Sequence, residues 1–221
     1  MTVTNFPHMY AKLVAYTQPV DTTMDMQALI AYCARVSNQK NQHNHLTAGK
    51  LLMYMRNHNH WSPFEMANLV IEINTTRDIA RQILRHRFSF QEFSQRYAEY
   101  TEPMITREAR LQDEKNRQSS IDVDDSDLLT QWHIHQKSVS HYARKAYEWA
   151  IENGIAKEVA RSVLPEGMTL SRMYVNGTVR SWLHYCHVRC NMDTQKEHRL
   201  IASECYQILI EKVPALQEVS L

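Results

Sequence analysis

The run RHRFSFQEFSQRY, Arg85 to Tyr97, gathers Arg85, His86, Arg87, Glu92, Ser94 and Arg96 into a short stretch of chain. Three consecutive cationic or potentially cationic side chains are poor material for a hydrophobic core. They suit a site that holds phosphate or an electron-rich ring. Behind them Ser94, Gln95 and Arg96 offer a hydroxyl, an amide and a guanidinium fork, a set that grips phosphate with directional bonds. Phe88, Phe90 and Phe93 read as packing residues that fix the loop. The plain alternative is a solvated basic helix end, and the aromatic and polar continuation argues against it.

Other chemistries find less support. His43 and His45, His58 and His60, and His133 and His135 form alternate pairs, and His184 precedes His187 by three. Zinc needs about four converging ligands, and no CxxC accompanies these pairs. Surface and packing histidines are the expectation, with no metal. Cys186 lies on the same pattern as Val179, Trp182 and Leu183 and reads as a core thiol, not an accessible thiolate. Ser94 has only Glu92 and Arg96 near it in sequence, which do not make a triad. It reads as a positioning residue.

The whole chain is long enough for one domain, taken as residues 1–221, with a substantial core. Its formal net charge of +1 gives no basic excess for nucleic acid. No apolar run is long enough to span a bilayer. The opening MTVTNFPHMYAK lacks a signal-peptide pattern. The expectation is a soluble cytoplasmic protein with no membrane partner. The four cysteines fit reduced thiols better than a disulfide framework. No GxGxxG and no GxxxxGK[ST] occurs, so any phosphate is held by arginines.

The elements that must position these residues follow from periodicity. Residues 10–16 and Leu170 to Asn176 read as strands, and so do residues 68–74, where Leu69, Ile71 and Ile73 alternate with polar positions. Helices are predicted over Met24 to Val36 and Thr47 to Asn57. Thr75 with Asp78 resembles a capping box for a helix running through IARQILRHR. On that helix Arg81 and Arg85, and Gln82 and His86, are neighbours four apart. Residues 101–126 read as an exposed excursion. From Asp127 a helix carries Leu128, Trp132, His135, Val139, Tyr142, Ala146 and Trp149 at helical spacing and stops at Asn153-Gly154. A short helix ends before Pro165. Thr178 caps a helix through Asn191, and Thr194 with Glu197 suggests a capping box for the last helix. The expected fold class is mixed α/β (α+β) in one domain.

With these segments in view, the chain resembles the flavin-dependent thymidylate synthases, the ThyX family. The likeness rests on RHRFSFQEFSQRY together with ARVSN, HWSPFE, RQILRHR, RSVLP and GTVRSWLHYCHVRCNMDTQKEHR. It implies a compact subunit with a central, mostly antiparallel sheet flanked by helices, assembled as a homotetramer with active sites at subunit interfaces. It implies FAD, NADPH as reductant, methylenetetrahydrofolate as carbon donor and dUMP as substrate. Ser37, Ser62, Arg85, His86, Arg87, Gln91, Arg180 and His184 would then contact FAD. Gln82, Arg85, Glu92, Ser94, Gln95, Arg96, Arg161 and Arg189 would surround dUMP. His60 would lie near flavin and folate, and Arg189 would be the catalytic polariser. One departure stands out: six residues, Phe88 to Phe93, separate RHR from Ser94, one fewer than in the family pattern. A related flavin enzyme with another C5 chemistry, or an NADPH oxidase, therefore stays open, as does a nucleotide-binding protein without flavin.

Arg180 and Arg189 are nine positions apart. At about 100° per residue they point to opposite sides of an unbroken helix. A helix lying between two subunits would give one arginine to each of two sites. The bland alternative makes one of them a surface salt-bridge residue.

Overall fold

The computed structural model of the protein describes residues 8–217. Residues 1–7 lie outside, and with them most of the stretch read for a signal peptide. β1 (Tyr10–Tyr16) leads to α1 (Met26–Ala34) and α2 (Ala48–Asn57). β2 (Asn68–Thr76) runs directly into α3 (Arg77–Ile83), followed by β3 (Ser89–Glu92). The hairpin of β4 (Arg110–Gln112) and β5 (Ser120–Asp122) precedes the long α4 (Ser126–Glu152) and short α5 (Lys157–Ala160). β6 (Leu170–Thr178) passes into α6 (Val179–Arg189), and α7 (Lys196–Lys212) follows. The class is mixed α/β, an antiparallel sheet in the order β1-β2-β6-β3 flanked by helices.

The chain divides into two compact units. Among the described residues, one comprises 10–73, 84–91 and 174–217; the other comprises 8–9, 74–83 and 92–173.

In the first unit, strand alternation does what it should. Leu69, Ile71 and Ile73 are fully buried, while Glu72 between them accepts a 2.7 Å hydrogen bond from the Tyr10 hydroxyl. Asp25 caps α1 by accepting from the Ala28 N–H at 2.7 Å. Thr178 caps α6 as expected, accepting from the Ser181 N–H at 3.2 Å. Trp182 is fully buried and its indole N–H is satisfied by the Leu69 carbonyl at 3.1 Å. α7 packs on α6 and β1, and Glu204 of α7 accepts from the Ala11 N–H at 2.6 Å.

In the second unit α4 is capped by Asp125 and ends where Gly154 takes a φ of 75°, a conformation glycine adopts without steric cost. The excursion over residues 101–126 is partly ordered: Leu111 pairs with Ile121 in the β4–β5 hairpin, and Met104 is buried. The Gln136 amide clamps the Arg107 backbone in both directions at 2.8 Å. Arg107 in turn holds Asp78 and Thr76, each at 2.8 Å.

Three local expectations are corrected. α3 ends at Ile83 and residues 84–87 form turns, so Arg81/Arg85 and Gln82/His86 are not helical neighbours. The Thr75–Asp78 capping box does not form: Thr75 lies inside β2, its hydroxyl has no hydrogen-bond partner among the described residues, and Asp78 is committed to Arg107. At the start of α7 the N-cap is Gln195 with no side-chain cap. Thr194 instead donates to the Val188 carbonyl at 3.2 Å, and the buried Glu197 accepts from Gln195 at 3.0 Å.

Candidate functional site

Within the first unit, α6 and the turn after α3 meet. His86 Nε2 accepts a 2.8 Å hydrogen bond from Arg189 Nε. A guanidinium only donates, so this nitrogen is unprotonated and the imidazole carries its proton on Nδ1. Burial, then the charges of Arg189 and His184, pull the His86 pKa down to about 4. At neutral pH His86 is therefore uncharged and remains an acceptor for Arg189.

The aromatic residues of the signature run do what the sequence suggested. Phe88 packs 4.4 Å from Trp182 and lies 6.0 Å edge-on to Phe90, centroid to centroid. These contacts peel the RHR stretch off the helix and turn it toward α6. That is the physical reason the helix stops short of the position its periodicity indicated.

A cavity of about 740 Å³ opens beside this junction, within the size range of ligand pockets. His86 and Arg87 line it from the turn, and Arg180, His184 and His187 from α6. The last three stand at helical spacing on one face. α6 is unbroken from Val179 to Arg189, so Arg180 and Arg189 do leave opposite sides of it. Arg180 is held by Glu65 at 2.6 Å. Arg87 is exposed and has no hydrogen bond or ion pair among the described residues. The cavity thus presents three guanidiniums, of Arg56, Arg87 and Arg180, the last of them paired with the lining carboxylate of Glu65.

Of the residues expected to contact FAD, His86, Arg87, Arg180 and His184 come together here. Ser37, Ser62, Arg85 and Gln91 belong to the same unit but do not line the cavity, and all four are exposed. Exposed His60 lies edge-on to Tyr54, 6.1 Å between centroids. Sequence reading missed Arg56, Trp61 and Glu65 as lining residues. The signal was present in HWSPFE, whose 3₁₀ turn Ser62–Glu65 carries Glu65 to Arg180. Nearby, Asn59 takes a φ of 59°, a conformation unusual for a non-glycine residue.

Gln82, Glu92, Ser94, Gln95, Arg96 and Arg161 fall in the second unit. There Glu92 accepts from the Ser171 hydroxyl at 2.6 Å and lies 3.7 Å from Arg77. Ser94 Oγ accepts from the Arg96 N–H at 3.4 Å. Exposed Arg96 pairs with Glu158 at 3.4 Å. Gln95 is buried, with its amide nitrogen unpartnered among the described residues.

Cys186 is buried, with Sγ 3.9 Å from the Ala202 carbonyl. Burial, with neighbouring Cys190 and Cys205, pushes its thiol well above the ordinary range. This is the core thiol expected from the helix pattern.

The comparisons agree with these segments. The family model described as thymidylate synthase complementing protein matches residues 14–215. The chain is 46% identical over 210 residues to a probable flavin-dependent thymidylate synthase of Paramecium bursaria Chlorella virus 1, covering 94% of this chain and 97% of that one. It is 49% identical over 191 residues to the flavin-dependent thymidylate synthase of Synechocystis sp., covering 86% and 87%. Among solved structures it resembles a UMP/dUMP methylase, PolB from Streptomyces cacaoi bound with 5-Br dUMP, at a TM-score of 0.78 and 23% identity over 94% of this chain and 92% of that one. At that identity the likeness is one of fold. By the extent of the family match and the identity to two nearly full-length relatives, the chain belongs to the thymidylate synthase complementing protein family, the family of the flavin-dependent thymidylate synthases.

Proposed function

We propose that this chain methylates dUMP at C5 to give dTMP, with methylenetetrahydrofolate as carbon donor and NADPH-reduced FAD as hydride source. The observation that carries this reading is the convergence of the RHR turn and α6 on one cavity, where His86, Arg87, Arg180 and His184 meet. FAD carries two linked phosphates, and the donor set fits them: Arg87 is an uncommitted cation, and Arg180 is fixed by Glu65 at 2.6 Å. Ser37, Ser62, Arg85 and Gln91 complete the proposed FAD set. His60 is assigned to the vicinity of flavin and folate. When bound, FAD supplies the redox chemistry.

The protein's own residues then bind and polarise. Gln82, Arg85, Glu92, Ser94, Gln95, Arg96 and Arg161 are assigned to dUMP, with Arg96 and Arg161 serving its phosphate. Arg189 is assigned to the uracil carbonyls, where a guanidinium stabilises the negative charge that develops as C5 becomes nucleophilic. Its Nε is occupied by His86, which leaves the terminal nitrogens for substrate. No thiol adds to the ring: Cys186 is buried and held protonated. The working form is a cytoplasmic, single-domain homotetramer with sites at subunit interfaces, supported by the opposed Arg180 and Arg189. Nucleic acid has no part in it.

Tritium release from dUMP labelled at C5 tests the reading. Release that needs both FAD and methylenetetrahydrofolate, with dTMP as product, is expected. The stretch from RHR to Ser94, one residue short, favours one second reading: a flavin enzyme with another pyrimidine C5 chemistry, or an NADPH oxidase. Tritium release with a product other than dTMP would select the first, and NADPH consumption without tritium release the second.

A further inference from the structure

We propose that Tyr185 is a positioning residue for the His86–Arg189 pair: its ring walls off one side of His86 and keeps Nε2 turned to Arg189. The inference rests on the reading that Arg189 acts on the pyrimidine, and it goes on to name what holds that guanidinium in place.

Tyr185 is fully buried on α6 and meets His86 edge-on, with centroids 5.0 Å apart and planes at 89°. It also touches Phe88 at 5.7 Å and Trp182 at 5.8 Å, so it sits where the RHR turn and α6 share one aromatic cluster. Its hydroxyl lies 3.1 Å from Nε2 of His198, which is fully buried on α7. One side chain therefore ties α7 to the turn that carries His86.

The wall matters because the His86–Arg189 hydrogen bond exists in only one protonation state. Protonated His86 would present an N–H to a donor and a charge to a like charge. The groups facing it are Arg189, His184 and Tyr185 from α6 and His198 from α7. None of them stabilises an imidazolium by opposite charge. Water does, and the fully buried Tyr185 ring covers the side of His86 that it meets, while the cavity side stays open. A residue that merely filled space would, when truncated, cost stability and leave the titration of His86 alone.

The test titrates His86 by isotope-labelled histidine NMR, assigned with His86→Gln, in wild type, Tyr185→Leu and Tyr185→Phe. Wild-type His86 is expected to titrate near pH 4. In Tyr185→Leu its midpoint should move toward the ordinary value of about 6.5. Turnover in that variant should fall about tenfold at pH 6, recover as pH rises, and show a smaller change in KM for dUMP. Tyr185→Phe, which keeps the ring, should restore the wild-type midpoint and pH profile. A folded Tyr185→Leu protein with an unmoved His86 midpoint overturns the proposal. So does a wild-type His86 that titrates near 6.5, a result that needs no variant to fold. The titration requires no turnover, so it stands or fails separately from the assigned reaction.

Discussion

Phe88 occupies the space where a side chain at Gly177 would be. A Cβ on Gly177 would lie 2.3 Å from Phe88 Cδ1 and 2.5 Å from Cε1, distances no packed carbon tolerates. Gly177 stands near the end of β6 and Phe88 directly after RHR, so the glycine admits the ring that anchors the RHR turn. Gly177→Ala should displace Phe88, lower stability by about 1–3 kcal/mol and reduce the flavin retained on purification. Thermal melts and flavin absorbance check this. Wild-type values for both would show that the ring can shift without moving the turn.

Arg189→Ala should abolish dTMP formation while leaving much of the FAD binding, because Arg189 reaches the cavity only through His86. Product assay and flavin titration on the same preparation separate the two effects. Wild-type turnover in this variant would reject the polarising role.

Cys186→Ala should remain active, at a stability cost of about 1 kcal/mol for the lost buried sulfur. Loss of dTMP formation in a well-folded Cys186→Ala protein would point back to thiol catalysis.

Acid should unfold the protein early. Burial, then Arg189 and His86, depress the His198 pKa to about 3. The unfolded chain takes up a proton there near pH 6.5, whereas the folded one does not until about 3. Stability therefore rises with pH across that window and is lost as pH falls through it. The loss from this one residue is on the order of a few kcal/mol. Denaturant melts between pH 7.5 and 4 should show the slope, and His198→Phe should make it shallower, with His86 supplying part of what remains.

Much was legible from local pattern. β1 and the Thr178 cap were read to the residue, because strand alternation and capping are properties of neighbouring positions. What failed was overruled from a distance. The helix expected through RHR ends at Ile83 because His86 is claimed by Arg189 and Phe88 by Trp182, each about a hundred positions downstream. Thr75 lost its cap because β2 extends over it, and Asp78 was taken by Arg107. The α4 period identified a helix but not its inner face. Trp132, Tyr142 and Trp149 are 44%, 69% and 59% exposed, while Gln136, Tyr147 and Ala150 point inward. The cavity was half legible: Trp61, Glu65, His86, Arg87, Arg180, His184 and His187 stood in quoted motifs, whereas Arg56 gave no sign of its role.

That exposed α4 stripe bears on the proposed assembly. Trp132→Glu combined with Trp149→Glu should lower the mass measured by light scattering, since two charges would then have to be desolvated at a subunit contact. An unchanged tetramer mass would place the contact elsewhere.

The Arg189–His86 hydrogen bond also limits which substitutions the chain can survive. Lysine has the same charge as arginine, and for some codons lies a single base change away. But its one nitrogen sits at the tip of the chain, whereas arginine has Nε set back from its two terminal nitrogens. A lysine at 189 would have to choose between the imidazole and the pyrimidine, so a mutation that leaves the net charge untouched should behave genetically as a null.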